Sequence, residues 1–118
     1  MMVFEWSAGP LAEGLRCYRA QQFWSAHEHW EAVWLQLQGQ EKTFLQALIQ
    51  TTAAFHHFQR GNLVGMASLL RNALRRLDPL PAEFGGISVD ALRSSLQTWI
   101  KGIDHPETLA QIPFPSIV

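Results

Sequence analysis

The chain has 118 residues, with 9 Lys plus Arg against 10 Asp plus Glu and a formal net charge of −1. That length suits one domain spanning 1–118, large enough to bury a core without disulfide or metal staples. The even charge balance argues against a nucleic-acid partner, which needs a concentrated positive field. No apolar run reaches the roughly 18 residues of a membrane span.

Hydrophobic residues make up 47% of the chain and charged residues only 16%. With five Trp and seven Phe, the low charge points to a homo-oligomer that meets its partner through aromatic surface. The one cysteine, Cys17, excludes an internal disulfide and reads as a small packed apolar residue. Met1 to Trp6 contain Glu5 and no basic cluster, so no signal peptide is expected and the cytoplasm is the default location.

The spacing predicts an all-α, compact bundle of five main helices, with room for a short C-terminal sixth. The first runs from about Pro10 to Gln22, with Pro10 at its first position and Leu11, Leu15 and Tyr18 as its apolar stripe. The second runs from about Ser25 to Gln38. Ser25 and Glu28 fit a capping box, and Gly39 is expected to end the helix. The third covers about Glu41 to Arg60, with Phe44, Leu45, Leu48, Ile49, Thr52 and Phe55 facing inward and Gly61 as its stop.

Asn62 is a good N-cap for the fourth helix, whose stripe is Leu63, Met66, Leu70, Ala73, Leu74 and Leu77. The link Gly61-Asn62 is so tight that the third and fourth helices form an antiparallel hairpin. Arg71, Arg75 and Arg76, with Arg60 before them, read as a solvated helix face.

Asp78 to Gly86 reads as a loop on its two prolines and paired glycines. The fifth helix opens at Ser88, with Ile87 and Leu92 spaced as a hydrophobic staple, and stops at Gly102. Pro106 can start a last short turn. In the tail, 103–118, Pro113-Phe114-Pro115 is expected to be extended, packing across the body or reaching a neighbour. No segment alternates in the manner of a strand, so a sheet is not expected.

The informative residues are polar ones on faces meant for the core. At about 100° per residue, Phe23, Trp30, Trp34 and Leu37 share one arc of the second helix, with Trp24 and Leu35 beyond Trp34. His27 and Glu31 fall between these two apolar groups and stack at i, i+4. Glu28 sits at the edge of that face. On the third helix His56 falls within the apolar face, while His57 lies a quarter turn away near Gln46 and Gln50. Helices joined by a short loop pack together, so His27, Glu31 and His56 are expected to meet inside the bundle.

A buried carboxylate or imidazole is costly unless it is partnered. Three readings stand open: a hydrogen-bond network that fixes helix register, a site for one divalent metal ion held by His27, Glu31 and His56, or acid–base chemistry and polar-ligand binding. In the catalytic case Glu31 is the base and His27 its partner. His27-Glu28-His29-Trp30-Glu31 reads H-E-x-x-E and lacks the last histidine of the zinc-protease motif. The Glu-x-x-His pairs of a di-iron bundle are also missing, as are Walker and Rossmann fingerprints.

Ala26-His27-Glu28 with Glu31 and Trp34 resembles the signature of a mostly prokaryotic family, domain of unknown function 309. Phe44-Leu45-Gln46 with Leu48-Ile49-Gln50 is similar to its third-helix signature. His56, Gly61-Asn62, Gly65 and Ala67 resemble its hairpin, with Met66 as one residue more than the family's usual Gly-Ala. Gly86-Ile87 with Asp90 and Leu92 resembles its last element. The likeness covers about 11–101. It implies a compact all-α fold centred on the second and third helices. The positions it carries over are His27, Glu28, Glu31, Trp34, Gln46, Gln50, His56 and Asn62; the resemblance supplies no activity.

The leading expectation is a cytoplasmic helical protein whose His/Glu pocket holds a small polar ligand or metal ion. The alternative is a structural or interaction module. In that case the cluster only fixes packing, and Trp6, the proline-rich loop and the Phe114 tail make the contacts.

Overall fold

The computed structural model describes residues 4–118; Met1–Val3, the start of the stretch in which no signal peptide is expected, lie outside them. Five helices follow in order: α1 (Gly9–Arg19), α2 (Phe23–Trp34), α3 (Gly39–Gln59), α4 (Leu63–Leu77) and α5 (Val89–Gly102). A 3-10 turn, Pro106–Gln111, comes after them. The protein is an all-α bundle. Among the described residues no helix is long and apolar enough to cross a membrane.

The long helix α3 is the axis of the bundle. Phe44, Leu45, Ala47, Leu48, Thr51, Thr52, Ala54 and Phe55 are all buried along it, because α2 packs on one side and α4 on another. A helix apolar nearly all round belongs in the middle. Its two buried hydroxyls are satisfied within the helix: Thr51 Oγ1 donates to the Ala47 carbonyl and Thr52 Oγ1 to the Ile49 carbonyl, each at 2.8 Å.

The predicted α3–α4 hairpin is present. Gly61 takes a positive φ of 76°, and Asn62 Oδ1 accepts from the Gly65 amide at 2.9 Å. Ser88 likewise caps α5, accepting from the Ala91 amide at 3.1 Å. Arg93 reaches across from α5 to donate to the carbonyls of Leu77 at 2.7 Å and Leu80 at 2.5 Å. It thereby satisfies one acceptor freed at the C-terminus of α4 and one in the turn that follows.

Helix α1 ends at Arg19, short of the expected Gln22, and three further features differ from expectation. Helix α2 starts at Phe23 after Gln22 and has no side-chain cap, so Ser25 lies inside the first turn and forms no capping box with Glu28. It ends at Trp34 rather than at Gly39. Gly39, at φ 63°, instead opens α3. The third difference is a small hairpin within the expected loop, β1 (Glu83–Phe84) paired with β2 (Ile87–Ser88). Its two-residue turn is Gly85-Gly86, at φ 61° and 81°, the left-handed pair that tight hairpins require. A Cβ on Gly85 would also lie 2.5 Å from Phe44 Cε2.

Both flanking segments are tied into the core. Trp6 Nε1 donates to the Gly85 carbonyl at 2.7 Å, and Phe4 meets Phe44 edge-on at 5.0 Å. The tail crosses the body: Phe114 stacks on Trp99 at 5.3 Å and meets Phe23 and Phe55, each at 4.9 Å. Tyr18 donates its hydroxyl to the Pro115 carbonyl at 2.6 Å. Trp6 and Phe114 are therefore held by contacts within the chain, each still partly exposed.

Candidate functional site

Helix α2 lies with Phe23, Ala26 and Trp30 against the core. The second apolar group predicted from the helical wheel faces water instead, with Trp24 47% and Leu35 66% exposed. The wheel angles are right, but the two helices that pack on α2, α1 and α3, leave its Trp24–Leu35 side uncovered. The gap holding His27 and Glu31 therefore opens at the rim of the α2–α3 seam.

His27 Nε2 and Glu31 Oε2 are 3.1 Å apart, the His27 side chain 17% exposed and Glu31 48%. With the ring neutral and Nε2 donating to the carboxylate, Nδ1 is an acceptor, and that atom is buried without a partner. Trp24 stacks on the His27 ring at 4.5 Å and tilts against His56 at 5.1 Å. His56 in turn meets His57 edge-on at 6.0 Å. Burial pushes the His56 pKa below its ordinary value, and the nearby Arg60, His57 and His27 push the same way. The neutral ring is thus the favoured form in the folded chain, and its contribution to stability falls as pH drops below the ordinary histidine value.

The expected interior meeting of His27, Glu31 and His56 is corrected on two counts. Glu31 stands half in water, because α2 offers that face no covering helix. The metal set is not assembled either: among the described residues no three His, Cys, Asp or Glu side chains form a group that could hold an ion. Where a ligand set would converge, His27 pairs with Glu31 and the Trp24 indole contacts both rings. Asn62 sits at the hairpin, where it caps α4 and approaches His57 Nδ1 at 3.2 Å.

The remaining carried-over residues divide between two neighbouring depressions that share Glu31. One, open and about 550 Å³, is lined by Trp24, His27, Glu28, Glu31, Ala32 and Leu35. The other, about 190 Å³, is lined by Glu31, Trp34, Gln46, Ile49 and Gln50. In the second, Trp34 Nε1 and Gln50 Oε1 are both buried and without a hydrogen-bond partner. Each such group costs about 1–3 kcal/mol while it stays unpaired. Lys42 Nζ lies 4.4 Å over the Trp34 ring, a contact the sequence reading missed, since the two residues sit on different helices with no motif linking them.

The family described as Domain of unknown function (DUF309) matches residues 11–69. The chain belongs to that family. The matched stretch runs from the start of α1 into α4 and includes every candidate residue named above. An uncharacterised protein of Aquifex aeolicus (strain VF5) is 30% identical over 102 residues, covering 84% of this chain and 31% of the relative. The chain therefore spans about a third of the length of that relative.

The pairing of Glu31 makes a plain prediction for this DUF309 protein. Glu31→Gln is expected to change the unfolding free energy by less than about 0.5 kcal/mol, the range of an exposed i, i+4 pair. Urea denaturation checks it, and a loss of several kcal/mol would show that a buried network needs the charge.

Proposed function

We propose that the protein is a binding module that takes a small polar ligand at the rim of the α2–α3 seam. One observation carries this reading: Trp34 Nε1, a donor, and Gln50 Oε1, an acceptor, are both unpaired on side chains that line one small hollow, with the Glu31 carboxylate at its edge. A group offering an acceptor beside an N–H donor meets both needs at once. Gln50 is only partly buried, and its terminal amide torsion is soft, so it can turn toward an incoming partner. The cytoplasmic location expected from composition belongs to the same proposal.

Nicotinamide is a suitable probe, because its planar primary amide carries both groups. A probe of that size is expected to bind at about 1 mM. In 15N-labelled protein its titration should move the Trp34 indole N–H resonance, and Gln50→Leu should abolish the shift. An unmoved Trp34 resonance at about 10 mM probe would sink the ligand reading.

A second reading, a self-associating interaction module, is favoured by a different observation. Trp24 and Leu35 are exposed on the outer side of α2, where no helix among the described residues packs over them.

A further inference from the structure

The outer faces of α2 and α4 match one another in spacing and oppose one another in charge. On α2 and the residue that caps its C-terminus, the exposed Trp24, Glu28, Glu31 and Leu35 follow intervals of four, three and four, a single helical stripe. On α4 the exposed residues Val64, Ser68, Arg71 and Arg75 follow the same intervals. Helix α2 contains two Glu and no Lys or Arg, whereas α4 contains three Arg and no Asp or Glu. Of the four large hydrophobic side chains exposed in the described residues, Trp24, Leu35 and Val64 lie on these two stripes, and the fourth is Val118 in the tail. Val64 is 83% exposed.

On the interaction reading above, we propose that the α2 face of one copy docks antiparallel on the α4 face of a second copy. The intervals read the same in both directions, so side-chain chemistry decides the orientation. Antiparallel, Leu35 meets Val64, Glu28 meets Arg71, and Arg75 reaches the Trp24 indole for a cation–π contact. Parallel, Trp24 would meet Val64 and Glu31 would meet Arg71, so one apolar pair and one ion pair form in either direction, but Leu35 would then face the Arg75 guanidinium and the cation–π contact would be lost. The two faces differ, so the contact is head-to-tail, and each added copy leaves one face of each kind open. Two single-helix faces bury less than the roughly 1,600 Å² of a standard interface, so association is weak and expected from about 0.1 mM upward.

Sedimentation equilibrium of the full chain tests this, with circular dichroism confirming that each surface variant stays helical. The average mass should rise past that of a dimer with concentration. Leu35→Glu alone and Val64→Glu alone should each weaken association at least tenfold. Because each variant keeps one intact face, mixing them should restore a 1:1 dimer that grows no further. Glu28→Arg and Arg71→Glu should each weaken association, and the two together in one chain should recover it.

Association that survives both Leu35→Glu and Val64→Glu would overturn these faces while leaving a self-associating module in place. Loss with Leu35→Glu but not Val64→Glu would point to α2 meeting α2 and overturn the head-to-tail pairing. A chain that stays monomeric to about 2 mM would overturn self-association altogether. None of these results bears on the nicotinamide titration.

Discussion

Phe114→Ala is expected to lower the unfolding free energy by about 3 kcal/mol, a large share of what holds a domain of this size together. The residue lies in a segment without regular structure, where a substitution would ordinarily cost little. Its ring, however, is wedged among Phe23, Phe55 and Trp99 at 4.9–5.3 Å, with Phe58 at 6.4 Å. Removing it takes one wall from an aromatic cluster and leaves a cavity that the rigid faces of α3 and α5 cannot close. Trp99 Nε1 also donates to the Pro113 carbonyl at 3.0 Å, so the loosened tail would leave that donor unpaired as well. The urea midpoint should fall with the slope unchanged. A loss below about 1 kcal/mol would mean that the tail lies on the bundle without belonging to its core.

Gly14→Ala should destabilise by about 2 kcal/mol, against the usual rule for helices. Alanine favours a helix interior over glycine by roughly 1 kcal/mol, so helix propensity alone forecasts a gain. A Cβ at this position would stand 2.2 Å from Trp30 Nε1 and 2.4 Å from Trp30 Cδ1. Trp30 has no room to retreat: it is fully buried, donates to the Leu11 carbonyl at 3.2 Å and packs against Tyr18 and Trp6. The methyl therefore forces α1 away from α2 or breaks that hydrogen bond. Thermal unfolding gives the sign directly, and a raised Tm would refute the close approach of the two helices.

The helices were legible because their inward residues recur at helical spacing and their ends carry the expected punctuation. Asn62 and Ser88 cap the helices predicted for them, and the six residues of the predicted α3 stripe, Phe44 to Phe55, are all buried, whereas His56, placed on the same face, is only half-buried. Ser25 misled because a serine three residues before a glutamate has the right spacing wherever the helix begins, and Phe23 drew the start of α2 back toward the core. The Gly85-Gly86 hairpin escaped notice because two-residue strands leave no alternation to detect.

The site was legible only in part. The i, i+4 spacing put His27 beside Glu31, and the structure keeps them 3.1 Å apart. The wheel angles also placed Trp24 and Leu35 correctly around α2. An angle around one helix says nothing about whether a neighbour stands there, so an exposed rim was read as an interior. Trp34 and Gln50, singled out through family resemblance, are two of the four side chains with unpaired buried atoms, beside His27 and Arg76, and helical periodicity has no means of showing that.

The order of synthesis gives the crossing tail a further consequence. A chain emerging from the ribosome presents α1 through α5 before residues 113–118 exist. Until they appear, Trp99, Phe55 and Phe23 lack the ring that covers them, so the nascent bundle carries an open aromatic seam prone to sticking to other chains. Closure of that seam waits for this segment to be translated, and until then the growing polypeptide keeps three aromatic rings within reach of water.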